Sequence, residues 1–281
     1  MGRDRRGRCA RGVDTVPATR KRPAHRVSPS DKPAGRAPAG VPAPGGGCAD
    51  WTVEHVRGSV SDLLALGEPP ASASRLARMY TVEGPALVLG STQKAGEADA
   101  RRAANSGVEV LRRRSGGGAV LLRPGGQVWA DFFVAATDPL WHDDVTLATG
   151  WVGRLWASVV SSISDAGCSI HTGRLVADRW GRLVCFAGMG PGEVFLGGRK
   201  VVGVSQRRSR DRVRIQTAAR LQPDGSQAAP SAADDGFDEL DLLDLSDVER
   251  AEGQRVLASR CTSIPATEVE LTRSLLAALR R

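Results

Sequence analysis

The chain has 281 residues and a mass of 29.6 kDa, and its 39 Lys and Arg against 31 Asp and Glu give a formal charge of +8. Eleven of those basic residues and four of the acidic ones lie within 1–50, so the other 231 residues carry 28 basic and 27 acidic side chains, a net charge of +1. A nearly neutral body gives no reason to expect nucleic acid as a partner, and the lack of an apolar run of about 18 residues excludes a membrane-spanning helix.

Residues 1–50 are rich in Arg, Pro, Gly and Ala and end in a Pro/Gly run at 42–47. This composition predicts a disordered basic tail. The prolines oppose the amphipathic helix of a transit peptide, and no apolar core of a secretory signal is present. A solvated tail or a start codon assigned too early explains the segment. A weaker alternative makes it a tether to nucleic acid or another anionic surface.

The chain has five cysteines, none in a CxxC pair, and four histidines that are far apart in sequence. Odd, scattered cysteines argue against a disulfide framework and for a reducing compartment, so we expect a cytoplasmic protein. The histidines have no metal-ligand spacing, and we predict no metal site. Residues 51–281 suffice to bury a sizeable core, as one large α/β domain or two small ones.

From residue 51 onward, short apolar runs alternate with helical periodicities. Strands are predicted where apolar runs are bounded by Pro or Gly, at 85–90, 108–111, 119–122 and 128–134. Helices are predicted at 94–106, 151–163 and 268–279. Residues 193–206 predict a hairpin with glycines at its tip, and 222–236 a polar loop. Strands interspersed with helices and joined by hairpins indicate a mixed α/β fold with much antiparallel pairing.

The segment from Arg112 to Val120 places three arginines and a serine directly before Gly116, Gly117 and Gly118. Three glycines between two strands let a ligand or another backbone approach closely and permit positive φ. Exposed N–H groups in such a turn bind phosphate or carboxylate, and arginines add bidentate donors. The alternative is an ordinary Gly-rich hairpin beside solvated arginines.

Lys200 is one of four lysines in a chain with 35 arginines, and only Lys94 and Lys200 lie beyond the tail. A lysine retained next to Arg199 indicates a site that needs a compact ammonium, which a guanidinium cannot replace. Strict strand alternation predicts that Lys200 shares a face with Val202 and that Gly203 lies on the opposite face. The alternative is an edge lysine whose stem lies along apolar surface.

Cys185 ends an apolar run, directly before a Gly/Pro loop and fifteen residues before Lys200. A loop cysteine near a lysine is a candidate thiolate nucleophile, whereas a lone cysteine is more often a small buried hydrophobe. The glycines at 188–192 lack the spacing of a dinucleotide fingerprint, and the chain has no GxSxG, HExxH or P-loop motif.

Four segments, in this order, resemble the superfamily of lipoate–protein ligases, octanoyltransferases and biotin–protein ligases, in particular lipoate–protein ligase A. They are the entry segment 51–74, the strand and loop 87–93, the triple-glycine loop 113–120 and the lysine strand 198–206. The resemblance spans roughly residues 51–220, and the glycine loop together with the lysine strand is its specific part. It implies an α/β (α+β) fold like class II aminoacyl-tRNA and biotin synthetases, a mostly antiparallel sheet flanked by helices.

The resemblance also implies a function: attachment of a lipoyl or octanoyl group to a lysine of a lipoyl carrier domain through an acyl-adenylate. ATP and lipoate would be the substrates, and Mg²⁺ could accompany the ATP. Lys200 would stabilise the charge that develops on the acyl carbonyl and phosphate oxygens. The acyl chain and nucleotide would bind at Arg114, Ser115, Gly116, Gly117, Gly118, Ala119, Val120 and Leu121. Expected partners are lipoyl domains of 2-oxoacid dehydrogenase complexes or the glycine cleavage H protein.

A cysteine-dependent octanoyltransferase branch offers a second interpretation, because a Cys-Phe pair precedes its lysine strand at similar spacing. Cys185 would form a thioester with octanoate from acyl carrier protein, without any cofactor, and Lys200 would activate the thiol or the oxyanion. The chain departs from the ligases in three ways. It has no His at 213–218, Leu122-Arg123 replaces His-Asp, and only 81 residues follow Lys200, too few for a full accessory domain. A ligase, a transferase and a non-catalytic lipoyl- or carrier-binding module all remain open.

Overall fold

The structure, a computed structural model, describes residues 51–70, 73–222 and 238–281. The predicted tail at 1–50 and nearly all of the predicted loop at 222–236 lie outside the described residues. The strands are β1 Thr52–Gly58, β2 Arg75–Val82, β3 Ala86–Leu89, β4 Glu109–Arg112, β5 Val120–Leu122, β6 Gln127–Ala135, β7 Cys168–Ile170, β8 Val194–Leu196, β9 Arg199–Arg208 and β10 Arg212–Arg220. The α-helices are α1 Val60–Ala65, α2 Ala100–Asn105, α3 Gly150–Ser161, α4 Arg179–Leu183, α5 Asp238–Asp241, α6 Asp247–Arg260 and α7 Glu268–Leu279.

Two sheets organise the described residues. The large sheet has seven strands in the order β1-β2-β6-β10-β9-β8-β7. Every neighbouring pair in it is antiparallel except β1 and β2, which are parallel. The small sheet has the order β4-β3-β5. This mostly antiparallel architecture with flanking helices confirms the predicted fold class.

The large sheet buries one face against α3 and α7. Side chains at alternate positions of β2, β6 and β10 pack there, together with helix residues that include Trp156, Leu271 and Leu275. The predicted limits of α7 are confirmed at both ends, because Thr267 and Glu270 form a reciprocal capping box that fixes its start. This face is an apolar core.

The other face of the large sheet lies toward the small sheet. Val60 and Leu63 of α1 pack there with Tyr80 and Trp129 of the large sheet and Val88 of the small sheet. The opposite face of the small sheet packs against elements that include α2, α4, α5 and α6. The small sheet is therefore covered on both faces, and the segments that join it to the large sheet lie near the space between the sheets.

The single helix predicted at 94–106 is wrong. The chain forms a short 3-10 turn at Ala95–Glu97, pairs Ala98 with Leu243 as an isolated bridge, and starts α2 only after Asp99. The Asp99 carboxylate accepts the N–H of Arg102, so it acts as a new helix N-cap. Composition favoured a helix throughout, but a contact with the C-terminal part of the chain divides it.

Candidate active site

An apolar cavity of about 60 Å³ lies between the two sheets. Val88, Val120 and Leu122 line it from the small sheet, and Trp129 and Gly203 are among the residues that line it from the large sheet. Leu64, Arg113, Cys185, Phe186, Val204, Ser205, Gln216, Thr217 and Ala218 complete the lining. The cavity is thus lined by the predicted nucleophile, Cys185, and by Arg113 and Val120 of the predicted glycine loop.

The glycine loop is held against the segment that contains Cys185. The N–H of Ala119 donates to Leu183 O at 2.7 Å, and the N–H of Cys185 donates to Ala119 O at 2.8 Å. A Cβ at Gly118 would lie 2.6 Å from the backbone of Val184, so only glycine allows this approach. The sequence predicted that these glycines let a ligand or another backbone approach closely. At Gly118, the approaching backbone is that of Val184.

The N–H groups of Gly116, Gly117 and Gly118 find no acceptor within residues 51–70, 73–222 and 238–281. Gly116 and Gly117 are exposed, and Gly117 has a φ of 99°. Neighbouring free N–H groups in such a turn make a binding site for an anion. The loop thus retains donors of the kind that a phosphate or carboxylate needs.

The buried side chain of Arg113 is hydrogen-bonded to backbone carbonyls of this loop. Its guanidinium donates to Gly116 O and Gly118 O at 2.8 Å each, and to Val88 O at 3.2 Å. Burial lowers the pKa of Arg113, and its electrostatic interaction with the nearby Cys185 acts in the opposite direction. No carboxylate among the described residues pairs with Arg113. The sequence predicted that the arginines before the glycines supply donors to a bound anion, but Arg113 directs its donors to backbone carbonyls of this chain instead.

Arg114 and Ser115, predicted to bind substrate, occupy different environments. The Arg114 side chain is exposed beside the loop. Ser115 is buried, and its Oγ lies 3.3 Å from Ser205 Oγ on β9. The structure brings Ser115 and Val120 to the space between the sheets, whereas Ala119 packs on the opposite face of the small sheet and Arg114 is exposed to solvent.

Lys200 is buried, with 1 % of its side chain exposed. Its Nζ donates to Glu193 Oε1 at 2.6 Å, to Cys185 O at 2.8 Å and to Gly188 O at 3.1 Å. The ammonium also lies 5.3 Å from the ring centroid of Phe186. Lys200 is thus a fully enclosed cation, and the alternative of a solvent-reaching edge lysine is wrong.

The strand face predicted for Lys200 is also wrong. The β8–β9 register shifts by one residue between Val194 and Phe195, which pair with Val202 and Lys200. Such a bulge reverses the alternation of the strand beyond it. Lys200 consequently points to the same side as Gly203, where a Cβ would lie 3.7 Å from Lys200 Cε. The bulge turns the lysine toward the space between the sheets.

Cys185 and Lys200 come together at Gly203. The point that a Gly203 Cβ would occupy lies 3.6 Å from Cys185 Sγ and 3.7 Å from Lys200 Cε. Cys185 is partly exposed, in contrast to the fully buried Cys261. The structure therefore joins the two predicted catalytic side chains, which lie fifteen residues apart in the chain.

A second set of buried charges lies on the same face of the large sheet. Asp131 is fully buried and accepts hydrogen bonds from Tyr80 Oη at 2.8 Å, Arg214 Nε at 2.7 Å and Trp129 Nε1 at 3.1 Å. Burial and the Asp131 charge raise the pKa of Tyr80. Because Trp129 lines the cavity, this network fixes part of its wall.

Neither a metal cluster nor a membrane span is found in the described part of the chain. No group of three or more His, Cys, Asp or Glu side chains there is arranged to hold a metal ion. None of its helices is both long enough and apolar enough to cross a bilayer.

The glycine loop, the buried lysine and the surrounding fold together match a known family. Residues 63–236 match the family described as "Lipoyl protein ligase A/B catalytic domain". The chain belongs to this lipoyl protein ligase A/B family. It is accordingly an enzyme of the ligase or transferase type, and the predicted superfamily is confirmed. No curated protein sequence matches the chain.

Solved structures of other proteins share this fold. A bi-partite lipoate protein ligase from Thermoplasma acidophilum, described with its E2 lipoyl domain, has a TM-score of 0.58 at 12 % identity, covering 82 % of both chains. A lipoate-protein ligase A bound with ATP has a TM-score of 0.55 at 14 % identity, covering 81 % of this chain and 82 % of its own. LipL1 of P. falciparum with lipoate has a TM-score of 0.51 at 10 % identity, covering 82 % and 61 %.

Proposed function

We propose that this lipoyl protein ligase A/B family member attaches a lipoyl or octanoyl group to a lysine of a lipoyl carrier domain. The observation that supports this most is that Cys185 lines an apolar cavity, while the buried Lys200 lies beside the cavity residue Gly203 and the glycine loop is hydrogen-bonded to the Cys185 segment. Apolar walls suit an aliphatic acyl chain, and donors at the glycine loop suit a carboxylate or phosphate. The acceptors would be lipoyl domains of 2-oxoacid dehydrogenases or the glycine cleavage H protein.

In the ligase route, the carboxylate of lipoate attacks the α-phosphate of ATP, which gives lipoyl-adenylate and releases pyrophosphate. The carrier lysine then attacks the acyl carbon, an amide forms, and AMP leaves. Free N–H groups at 116–118 and the exposed Arg114 would bind the phosphate, and Lys200 would stabilise negative charge on the reacting oxygens. ATP-bound and lipoate-bound members of the fold make this the first candidate.

A second route is favoured by the position of Cys185 in the cavity wall. The Cys185 thiol would attack the thioester of octanoyl-acyl carrier protein, forming an acyl-Cys185 thioester and releasing the carrier thiol. The lysine of the lipoyl domain would then form the amide and release free Cys185. This route consumes no ATP.

An acyl-transfer assay with a lipoyl domain tests the proposal, supplying either lipoate with ATP and Mg²⁺ or octanoyl-acyl carrier protein alone. Cys185→Ala is compared with Cys168→Ala, which alters a partly buried cysteine on β7 outside the cavity. Product from ATP that Cys185→Ala leaves unchanged supports the ligase and excludes the thioester route. Product only from acyl carrier protein, abolished by Cys185→Ala alone, supports the transferase. Tight binding of a non-hydrolysable lipoyl-adenylate without turnover from either donor would overturn the proposal and indicate a binding module.

A further inference from the structure

The ammonium of Lys200 uses every hydrogen-bond donor that it has. A lysine carries three N–H donors, and Lys200 directs them to Cys185 O, Gly188 O and Glu193 Oε1. Two of these acceptors are neutral backbone carbonyls. Within the described ranges, Glu193 is the carboxylate that pairs with this ammonium. The position of the Lys200 charge is therefore determined by one acidic side chain.

Glu193 is itself fixed from two sides. Its Oε2 accepts the N–H of Gly190 at 2.7 Å, and its Oε1 accepts the N–H of Val204 at 3.3 Å as well as the Lys200 ammonium. The residue is 4 % exposed. A carboxylate with this many donors has one orientation only. Glu193 thereby links the loop after Cys185 to strand β9.

A buried ammonium without an anionic partner loses its hydration and favours the neutral amine. Lys200 is buried to the same degree as the apolar residues around it. The two carbonyls and the Phe186 ring contribute partial charges, but Glu193 supplies the full negative charge at 2.6 Å. Removal of that charge would release Lys200 from its position.

We propose that Glu193 is a positioning residue that holds the Lys200 ammonium beside the Cys185–Gly188 turn, so that it can act on the acyl group in the cavity. The proposal rests on the acyl-transfer function proposed above. Neither Glu193 nor Lys200 is among the residues that line the cavity, but Lys200 lies beside Gly203, which is. Glu193 acts through Lys200, and an incoming acyl or phosphate oxygen must replace one of the two carbonyls while the Glu193 pair is kept.

A labelling experiment tests, without any turnover, whether Glu193 holds Lys200 in its position. N-hydroxysuccinimidyl acetate acylates neutral amines, and mass spectrometry compares Lys200 with the exposed Lys94 within the same full-length chain. Glu193→Gln should raise labelling of Lys200 relative to Lys94 by about tenfold, because the Lys200 side chain is no longer held in its buried position by the carboxylate. Asp138→Asn is the matched control, since Asp138 is a buried acid in the turn after β6 that is paired with Arg75 of β2 at 2.8 Å. It should leave the ratio unchanged.

Transfer kinetics, measured with whichever acyl donor the wild-type enzyme accepts, test whether this positioning of Lys200 serves the reaction. Glu193→Gln should lower kcat about 100-fold while the KM for the lipoyl domain changes less than about threefold, because the lost interaction acts on the transition state. Glu193→Asp keeps the charge with a shorter reach and should recover part of kcat. This variant also keeps the test decisive if Glu193→Gln does not fold.

An unchanged Lys200 labelling ratio in both Glu193 variants would overturn the proposal, because Lys200 would then be held by other groups. A fall in kcat per folded molecule that Asp138→Asn reproduces would also overturn it, since any buried acid would then have the same effect. If the wild-type chain transfers from neither donor, the proposed function fails, while the labelling ratio still decides whether Glu193 controls the state of Lys200.

Discussion

The two faces of the seven-stranded sheet bury side chains of opposite character. Toward α3 and α7, the sheet presents apolar residues such as Ala130, Phe132 and Ile215, which pack around the fully buried Trp156. Toward the small sheet, the same strands present Arg78, Asp131 and Arg214, and β9 presents Lys200. Alternating positions of β6 therefore supply an apolar core on one side and, on the other, the buried Asp131 between Trp129 and Phe133.

The two faces therefore serve different purposes, because one stabilises the fold and the other supplies the charged groups of the site. Burial of apolar side chains on the helix face stabilises the folded state, and this stabilisation does not depend on an exact placement of charged groups. On the site face, each buried charge is acceptable only with its partner, so Asp131 has Arg214 and Lys200 has Glu193. We infer that mutations on the helix face change mainly stability, and that mutations on the site face change mainly activity.

The largest effect is expected on the helix face. Trp156→Ala should lower the free energy of unfolding by about 3–5 kcal/mol, because it leaves a cavity between α3 and the sheet. Urea unfolding measures this loss, and Trp156→Phe gives a milder version if the alanine variant does not fold. Leu175→Ala is the control, since Leu175 is 69 % exposed. A large fall in turnover per folded molecule in Trp156→Ala would contradict the separation of the two faces.

Lys200→Arg tests the site face with the charge retained. Since a guanidinium cannot place its planar donors on the three acceptors of a compact ammonium, kcat/KM should fall about 10²–10³-fold. Lys94→Arg, at an exposed position, should have near-normal kcat/KM. Near-normal transfer by Lys200→Arg would show that the central role assigned to this lysine is wrong.

The glycine loop provides a matched pair of substitutions. A Cβ at Gly118 would meet the Val184 backbone at 2.6 Å, whereas a Cβ at Gly116 would have no atom within 4 Å. Gly118→Ala should therefore cost about 1–3 kcal/mol in thermal or urea unfolding through overpacking, and should displace Cys185. Gly116→Ala should stay within about 0.5 kcal/mol of wild type. Equal losses in both variants would mean that the close approach at Gly118 is unimportant.

The smallest effect is expected for a charge outside both faces. Hydrogen bonds from Ser246 and Arg179 lower the pKa of the partly exposed Glu249 to about 2, below its ordinary 4.5. A depressed carboxyl pKa stabilises the folded state above pH 4.5, and this contribution is lost as the pH falls toward 2. The Tm difference between wild type and Glu249→Gln should be small at pH 7 and smaller still at pH 2. A difference that grows on acidification would contradict the assignment.

Much of the fold could be predicted because its signals are local. The apolar run before Gly90 predicted β3, and the 3.6-residue periodicity and terminal residues of α7 predicted its limits correctly. β2 and β10 were not predicted, because Arg78, Arg212 and Arg214 interrupt their apolar pattern. In the structure these arginines are buried against Glu54, the carbonyls of 69–73 and Asp131. A sequence pattern cannot supply partners that lie 24 to 143 residues away.

The candidate site likewise combines features that the sequence predicted with features that only the tertiary structure shows. The sequence by itself determined the residue types: a triple-glycine loop, a cysteine before a Gly/Pro turn and a lysine retained among arginines. Only the tertiary structure decided how they meet. A one-residue shift in the β8–β9 register turns Lys200 toward Gly203 and Cys185, and the fold of the Gly/Pro loop aligns Glu193 with the ammonium. Local sequence sets conformational preference and chemistry, whereas register and burial, which depend on contacts across the whole chain, determine which charges become neighbours.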